Sequence, residues 1–259
     1  MAAVLILLLL GVLSPTPNPV LAVDYPTFRS SGISDGANDD ICIIIKPVGL
    51  TVGDLMIAQV VAASATDATP PDGSWTLIRR DTTSTTIIES ALWWKIAVAA
   101  DVAAADFTFG TPNVSNAGAI SAFYGTSPLQ VTDDNGQANG ASTTITAPTV
   151  TPAAANSMVL FAASVTDNNL VGGWEVAVSD PHSWGTSYSE YWDLTQDLTL
   201  GLGYAVRPEI TATGDGTATS SGSDRNIGQL IIIELAAAPA PPTDVAATDG
   251  TATDKVTVT

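Results

Sequence analysis

The stretch Gly53–Tyr124 decides the reading of this chain. It opens GDLMIAQVVAAS (53–64), continues through PPDGSWTLIRR (70–80) and ALWWKIA (91–97), and closes on AGAISAFYG (117–125). Runs of β-branched and aromatic residues are cut by Pro, Gly and Asp clusters, the pattern of hydrophobic strands separated by turns. A looser copy follows. NSMVLFAASVTDNN at Asn156 echoes the GDLM strand, GGWEVA at Gly172 echoes GSWTLI, LGLGYAV at Leu200 echoes ALWWKIA, and NIGQLIIIEL at Asn226 echoes AGAISAFYG. Two strand sets of one design, neither covering its own apolar face, are expected to bury those faces against each other. The expectation is an all-β, two-sheet antiparallel, jelly-roll-like sandwich built from two pseudo-repeated halves.

Composition narrows the function. The chain has 259 residues, of which 13% are charged, and 8 Lys and Arg stand against 26 Asp and Glu for a net charge of -18. Such a surface repels a phosphate backbone, so nucleic acid is not an expected partner. The single cysteine, Cys42, lies in the apolar run ICIIIK and reads as a small core hydrophobe. A fold of this size is held by its core rather than by disulfides.

The ends differ from the middle. AAVLILLLLGVL after Met1 is too short to span a bilayer but has the length of a signal-peptide core, and Val20-Leu21-Ala22 supplies small residues for cleavage. Residues 1–22 are therefore read as a secretory signal, with no other membrane segment, which places the protein outside the cell or on its surface. The sandwich is expected over 23–237, with halves at about 28–127 and 141–237. The polar run QVTDDNGQANG separates them. An Ala-Pro linker follows at 238–243, and 244–259 alternates like the opening strands of a further β-domain.

Candidate chemistry concentrates in one insertion. Where the second half departs from the first, SDPHSWGTSYSEYWDLTQDLT (179–199) replaces a shorter hairpin. Trp184, Tyr188, Tyr191 and Trp192 with Glu190 and Asp193 have the composition of a glycan platform, in which rings stack on pyranose faces and carboxylates bond hydroxyls. The same aromatics suit a cap over the open end of a core. Glu190 and Asp193 are also the carboxylate pair a glycoside hydrolase would need, although a spacing of three in a loop fixes no separation. His182, the single histidine, beside Ser183 makes no triad signature. Asp35, Asp39 and Asp40 in SDGANDD, and Asp133 and Asp134 in TDDNGQ, offer oxygen ligands for a structural Ca²⁺, or are ordinary turn formers. No other cofactor is expected.

The order GDLMIAQVV, PPDGSWTLIRR, ALWWKIA, FTFG, AGAISAFYG resembles a β-sandwich module of large secreted or surface-attached bacterial proteins, also seen in some phage structural proteins. The resemblance covers about 28–235 and implies a non-catalytic scaffold unit with no catalytic residues to carry over. The tail PAPPTDVAATDGTATDKVTVT resembles the start of a fibronectin type III domain. The expected function is a non-enzymatic extracellular module for surface attachment, matrix architecture or glycan binding, its partner a polysaccharide or cell-surface glycan. The alternatives are a carbohydrate-active hydrolase using Glu190 and Asp193, and a phage virion component.

Overall fold

Strand β3 (Leu55–Ala62) is buried along its whole length, and the way it is buried explains the architecture. Leu55 and Ile57 face the other half of the chain, whereas Met56, Ala58 and Val60 face a core made within their own half. Its counterpart β8 (Ser157–Val165) divides in the same way. Met158, Leu160 and Ala162 meet Leu55 and Ile57, while Val159, Phe161, Ala163 and Val165 turn to a second private core. A strand covered on both faces has no polar side to show, which is why both runs are continuously apolar.

The computed structural model describes residues 25–34, 37–64, 67–83, 88–166, 169–176, 185–188 and 198–236. The expected signal peptide, Ala-Pro linker and fibronectin-like start lie outside them. Within them the chain forms two antiparallel six-stranded sheets, the architecture of a β-sandwich. The first sheet takes β1 (Thr27–Ile33), β2 (Ala37–Ile45), β3, β4 (Thr76–Thr82), β5 (Glu89–Ile96) and β6 (Asp106–Tyr124). A short helix, α1 (Ala99–Ala103), joins the last two, and Asp101 accepts the Val98 N–H at its start. The second sheet takes β7 (Leu129–Ala147), β8, β9 (Val171–Val176), β10 (Gly185–Tyr188), β11 (Thr199–Arg207) and β12 (Gly216–Leu235). A jelly roll winds consecutive strands alternately between its sheets. Here β1 to β6 all belong to one sheet and β7 to β12 to the other.

The halves pack face to face as expected, through Leu55, Ile57, Leu92 and Phe123 against Met158, Leu160, Leu202, Ile231 and Ile233. The expectation that neither half covers its own apolar face is corrected. The long strands β6 and β12 each cross from the central layer into a covering layer. The first part of β6 pairs with β2, and Cys42, Ile44, Phe107 and Phe109 close over Met56, Val60 and Trp93. The first part of β12 pairs with the end of β7 and with β9, closing Ile145, Ala147, Ala218 and Trp174 over Val159 and Phe161.

An asparagine marks each crossing. Asn116 lies opposite Ala62, and Asn226 opposite Val165. Asn116 donates to the carbonyls of Ile41 and Val114 at 3.3 and 3.2 Å. Asn226 donates to those of Ser142 and Asp224, each at 3.1 Å. Each bonds the carbonyl two residues back and one on the neighbouring strand, so ICIIIKP and STTITAP are structural as well as sequence equivalents. Buried amides whose N–H groups are held in this way fix the position of a strand bend.

The expected match of GGWEVA to GSWTLI holds for the tryptophans and fails for the strands. Trp75 sits edge-on to Phe107 and Phe109 at 5.8 and 5.5 Å, and Trp174 edge-on to Phe161 at 5.3 Å, each filling its own half's core. Strand β4 pairs with β5 at the sheet edge, whereas β9 lies in the covering layer on β12. The edge position in the second half is taken by β10, from within the insertion. Part of the insertion therefore completes the sheet.

The turn before Trp75 is held by charge. Asp72 accepts the Ser74 N–H at 2.7 Å and also the Ser74 hydroxyl, and Lys95 lies 3.5 Å away. The Ser74 hydroxyl first, then its N–H, and more weakly Lys95 hold the Asp72 carboxyl below its ordinary pKa, against a small opposing effect of burial. A depressed carboxylate contributes stability above its unfolded pKa and loses it as pH falls through the folded one. Asp72 is more than half exposed, so the contribution is about 0.5 kcal/mol or less after solvent screening. Asp72→Asn is expected to lower the urea midpoint slightly at pH 7, and the difference from the parent should shrink as the pH falls through the depressed pKa of the folded state.

A polar chain also crosses between the halves. Gln59 donates to the Ala163 carbonyl and the Ser164 hydroxyl at 2.9 and 3.0 Å, Ser164 to Ser90 at 3.0 Å, and Ser90 to the Gln229 carbonyl oxygen at 3.0 Å. Gln229 then donates to Asp81 at 2.8 Å, which is gripped by Arg79, itself bound to Asp134 at 2.9 Å. Burial acts to lower the Arg79 pKa, but Asp81 and Asp134 outweigh it and hold the guanidinium above its ordinary value.

Candidate functional site

An open cleft of about 320 Å³ lies where β1, β3 and β6 reach one end of the sheet. Its floor is set by Asp54, the residue before β3, which is buried at 2% exposure. Asp54 accepts from Arg29 Nε at 2.6 Å and Arg29 Nη2 at 3.0 Å, a bidentate pair, and from the Thr51 N–H and hydroxyl at 2.9 and 3.0 Å. The Thr51–Asp54 turn is locked by the Asp54 N–H on the Thr51 carbonyl and by the Gly53 N–H on Ala97. Gly53, at a φ of 94°, takes a conformation that a side chain would strain.

Arg29 is thereby held over Tyr124, its guanidinium carbon 4.4 Å from the ring centroid. Tyr124 remains 41% exposed, and Thr126, Ser127 and Pro128 also line the cleft. The Asp54 charge is neutralised inside, so the cleft offers a half-covered aromatic ring, a rigid guanidinium and hydroxyls. That set suits a neutral, polyhydroxylated ligand: apolar contact from the ring, hydrogen bonds from its rim.

Of the residues singled out from sequence, Trp184, Glu190, Tyr191, Trp192, Asp193 and Asp35 lie outside the described residues. Tyr188 ends strand β10 opposite Leu202, and Asp39 lies in β2 opposite Val114. Asp40 is exposed in β2. Asp133 accepts the N–H groups of Asp134 and Thr151 at 3.0 and 2.7 Å, and Asp134 pairs with Arg79. Both carboxylates are thus used as turn and interface contacts, and no group of three or more metal-ligating side chains occurs among the described residues.

Sequence reasoning missed the Arg29–Asp54–Tyr124 grouping. Asp54 was visible in GDLM as a charge immediately before an apolar strand, but nothing in the sequence pairs it with Arg29 across 25 positions. No family model, curated protein or solved structure matches the chain.

Proposed function

We propose that the chain is a non-enzymatic extracellular β-sandwich module that attaches to glycan through groups at its loop ends. The observation that supports this most is how the buried charges are spent. Six charged side chains are buried among the described residues, and each fastens parts of the scaffold together. Asp54 holds Arg29, Lys95 holds Asp101 at 2.7 Å, and Arg207 donates to Thr211. Glu234 accepts the N–H groups of Ala153 and Ala154. Glu89 accepts those of Asp67 and Ala68, and Arg80 Nε lies 3.1 Å from it as an ion-pair contact. Charges used in this way stiffen a scaffold and leave loops and surface aromatics to make contacts. The aromatic composition of 184–192 and the Tyr124 cleft both suit sugar rings.

The test is retention of the purified chain on a glycan array and on insoluble polysaccharides. Trp192→Ala is expected to reduce retention at least about tenfold, the loss of one stacked anchor, and Tyr124→Ala to do so if the cleft is a second contact. Reducing-sugar release that disappears in Glu190→Gln would overturn the reading in favour of a hydrolase.

A further inference from the structure

The charged pair in the Arg29 cleft can give hydrogen bonds to a ligand but has no room to take them. The two oxygens of Asp54 already accept four, from Arg29 Nε and Nη2 and from the Thr51 N–H and hydroxyl. Four is the full capacity of a carboxylate, so Asp54 cannot bond sugar hydroxyls in the usual way. Arg29 Nη2 places its second N–H on the Thr51 hydroxyl at 3.2 Å. Both N–H groups of Nη1 are left without a partner among the described residues. A guanidinium offers no acceptor, so the ligand group that meets Nη1 must itself accept. A carbonyl or carboxylate oxygen does this with no proton of its own left to place, as a hydroxyl has.

Charge and apolar surface separate those two. Asp54 cancels the Arg29 charge, no other ionised side chain lines the cleft, and the chain carries a net charge of -18. An anion is repelled by that field, which favours the neutral carbonyl. Val52, in the turn closed by the Asp54 N–H on the Thr51 carbonyl, lines the same cleft and is 64% exposed. A carbonyl that carries a methyl, on a ring with an apolar face, is the acetamido group of an N-acetylated amino sugar. We propose that the cleft binds one N-acetylhexosamine unit of a glycan. The acetamido oxygen accepts from Arg29 Nη1, the methyl packs on Val52, and the sugar ring lies against the exposed part of Tyr124, with Thr126 and Ser127 beside its hydroxyls. A cleft of about 320 Å³ is at the small end for ligand sites, which suits a single sugar unit. The proposal rests on the glycan reading and names its sugar.

Titration calorimetry of the purified chain with chitotetraose and cellotetraose tests it, because these oligomers share one backbone and differ only in the acetamido group. Chitotetraose is expected to bind at least about tenfold tighter. Val52→Ser should lower its affinity about fivefold and leave that of cellotetraose unchanged. Arg29→Lys keeps a cation for Asp54 but loses the planar fork, and should bring chitotetraose down to the level of cellotetraose. If Arg29→Lys fails to fold, Val52→Ser decides, since its side chain is exposed. Equal affinity for the two oligomers, or tighter binding of an oligogalacturonate, overturns the proposal while the glycan reading stands. A preference for chitotetraose that survives both substitutions and disappears in Trp192→Ala puts the sugar elsewhere and overturns it too. A chain that binds no glycan at all overturns both.

Discussion

Gly32→Ala should be among the most damaging single substitutions in this chain, costing about 4 kcal/mol of stability. A Cβ at position 32 would sit 1.7 Å from the Ile45 carbonyl oxygen, where β1 closes against β2. That oxygen belongs to the backbone and cannot rotate aside. Moving it would disturb the Ser34–Ile44 bridge and the Ser34 N–H bond to Gly118, which together close the first half on itself. Gly228→Ala is expected to be nearly as costly, because its Cβ would lie 2.5 Å from the Thr146 carbonyl oxygen. Gly118→Ala meets side-chain atoms instead, Ile44 Cδ1 at 2.6 Å and Cys42 Sγ at 2.8 Å, and should cost about half as much because side chains can yield. Gly140→Ala meets nothing within 4 Å and serves as the control, expected within about 0.5 kcal/mol of the parent. At about 2–4 °C per kcal/mol for a chain of this size, thermal melts will separate the three classes. A Gly32 variant melting with the Gly140 variant would show that β1 and β2 do not meet as described.

The strands and the repeat were readable because apolar runs bounded by Gly, Pro and Asp leave few alternatives to β-structure. Which face of each run is covered was not. LMIAQVV and ICIII look alike on the page, yet the first is buried on both faces and the second on one, with Ile41, Ile43 and Ile45 outside. The difference lies in β6, which crosses between layers at Asn116 and so supplies a cover to one face of β3. A long-strand crossing leaves only an Asn-x-Gly trace, NAG and NIG, which reads locally as a turn. The GxW echo failed for a related reason. It fixes where a tryptophan enters the core, whereas strand pairing depends on partners far along the chain. The expected glycan residues follow from composition alone. The cleft at Arg29, Asp54 and Tyr124 is made by the meeting of three strands and has no local signature.

One feature of the interior did leave a trace, the lone polar residues inside apolar runs, Gln59 in LMIAQVV and Gln229 in NIGQLIII. Both are fully buried, and both belong to the chain of hydrogen bonds joining the halves. Gln229→Ala should cost about 3 kcal/mol, since it removes a side chain from a packed site and leaves Ser90 and Asp81 short of bonds to Gln229. The two serines between the glutamines donate in one direction, Ser164 to Ser90 and Ser90 onward, so the loss of either end alters the other. A cycle of Gln59→Ala, Gln229→Ala and the double variant, read by urea unfolding, is therefore expected to show a coupling of about 1 kcal/mol although the two side chains do not touch. Gln137→Ala, on the exposed part of β7, should change stability by less than about 0.5 kcal/mol. Strict additivity would mean that the bonds act separately and that apolar packing alone sets how the halves meet. Coupling would mean that the polar chain helps select their register, because a slide of one strand position would turn every member of it away from its partner.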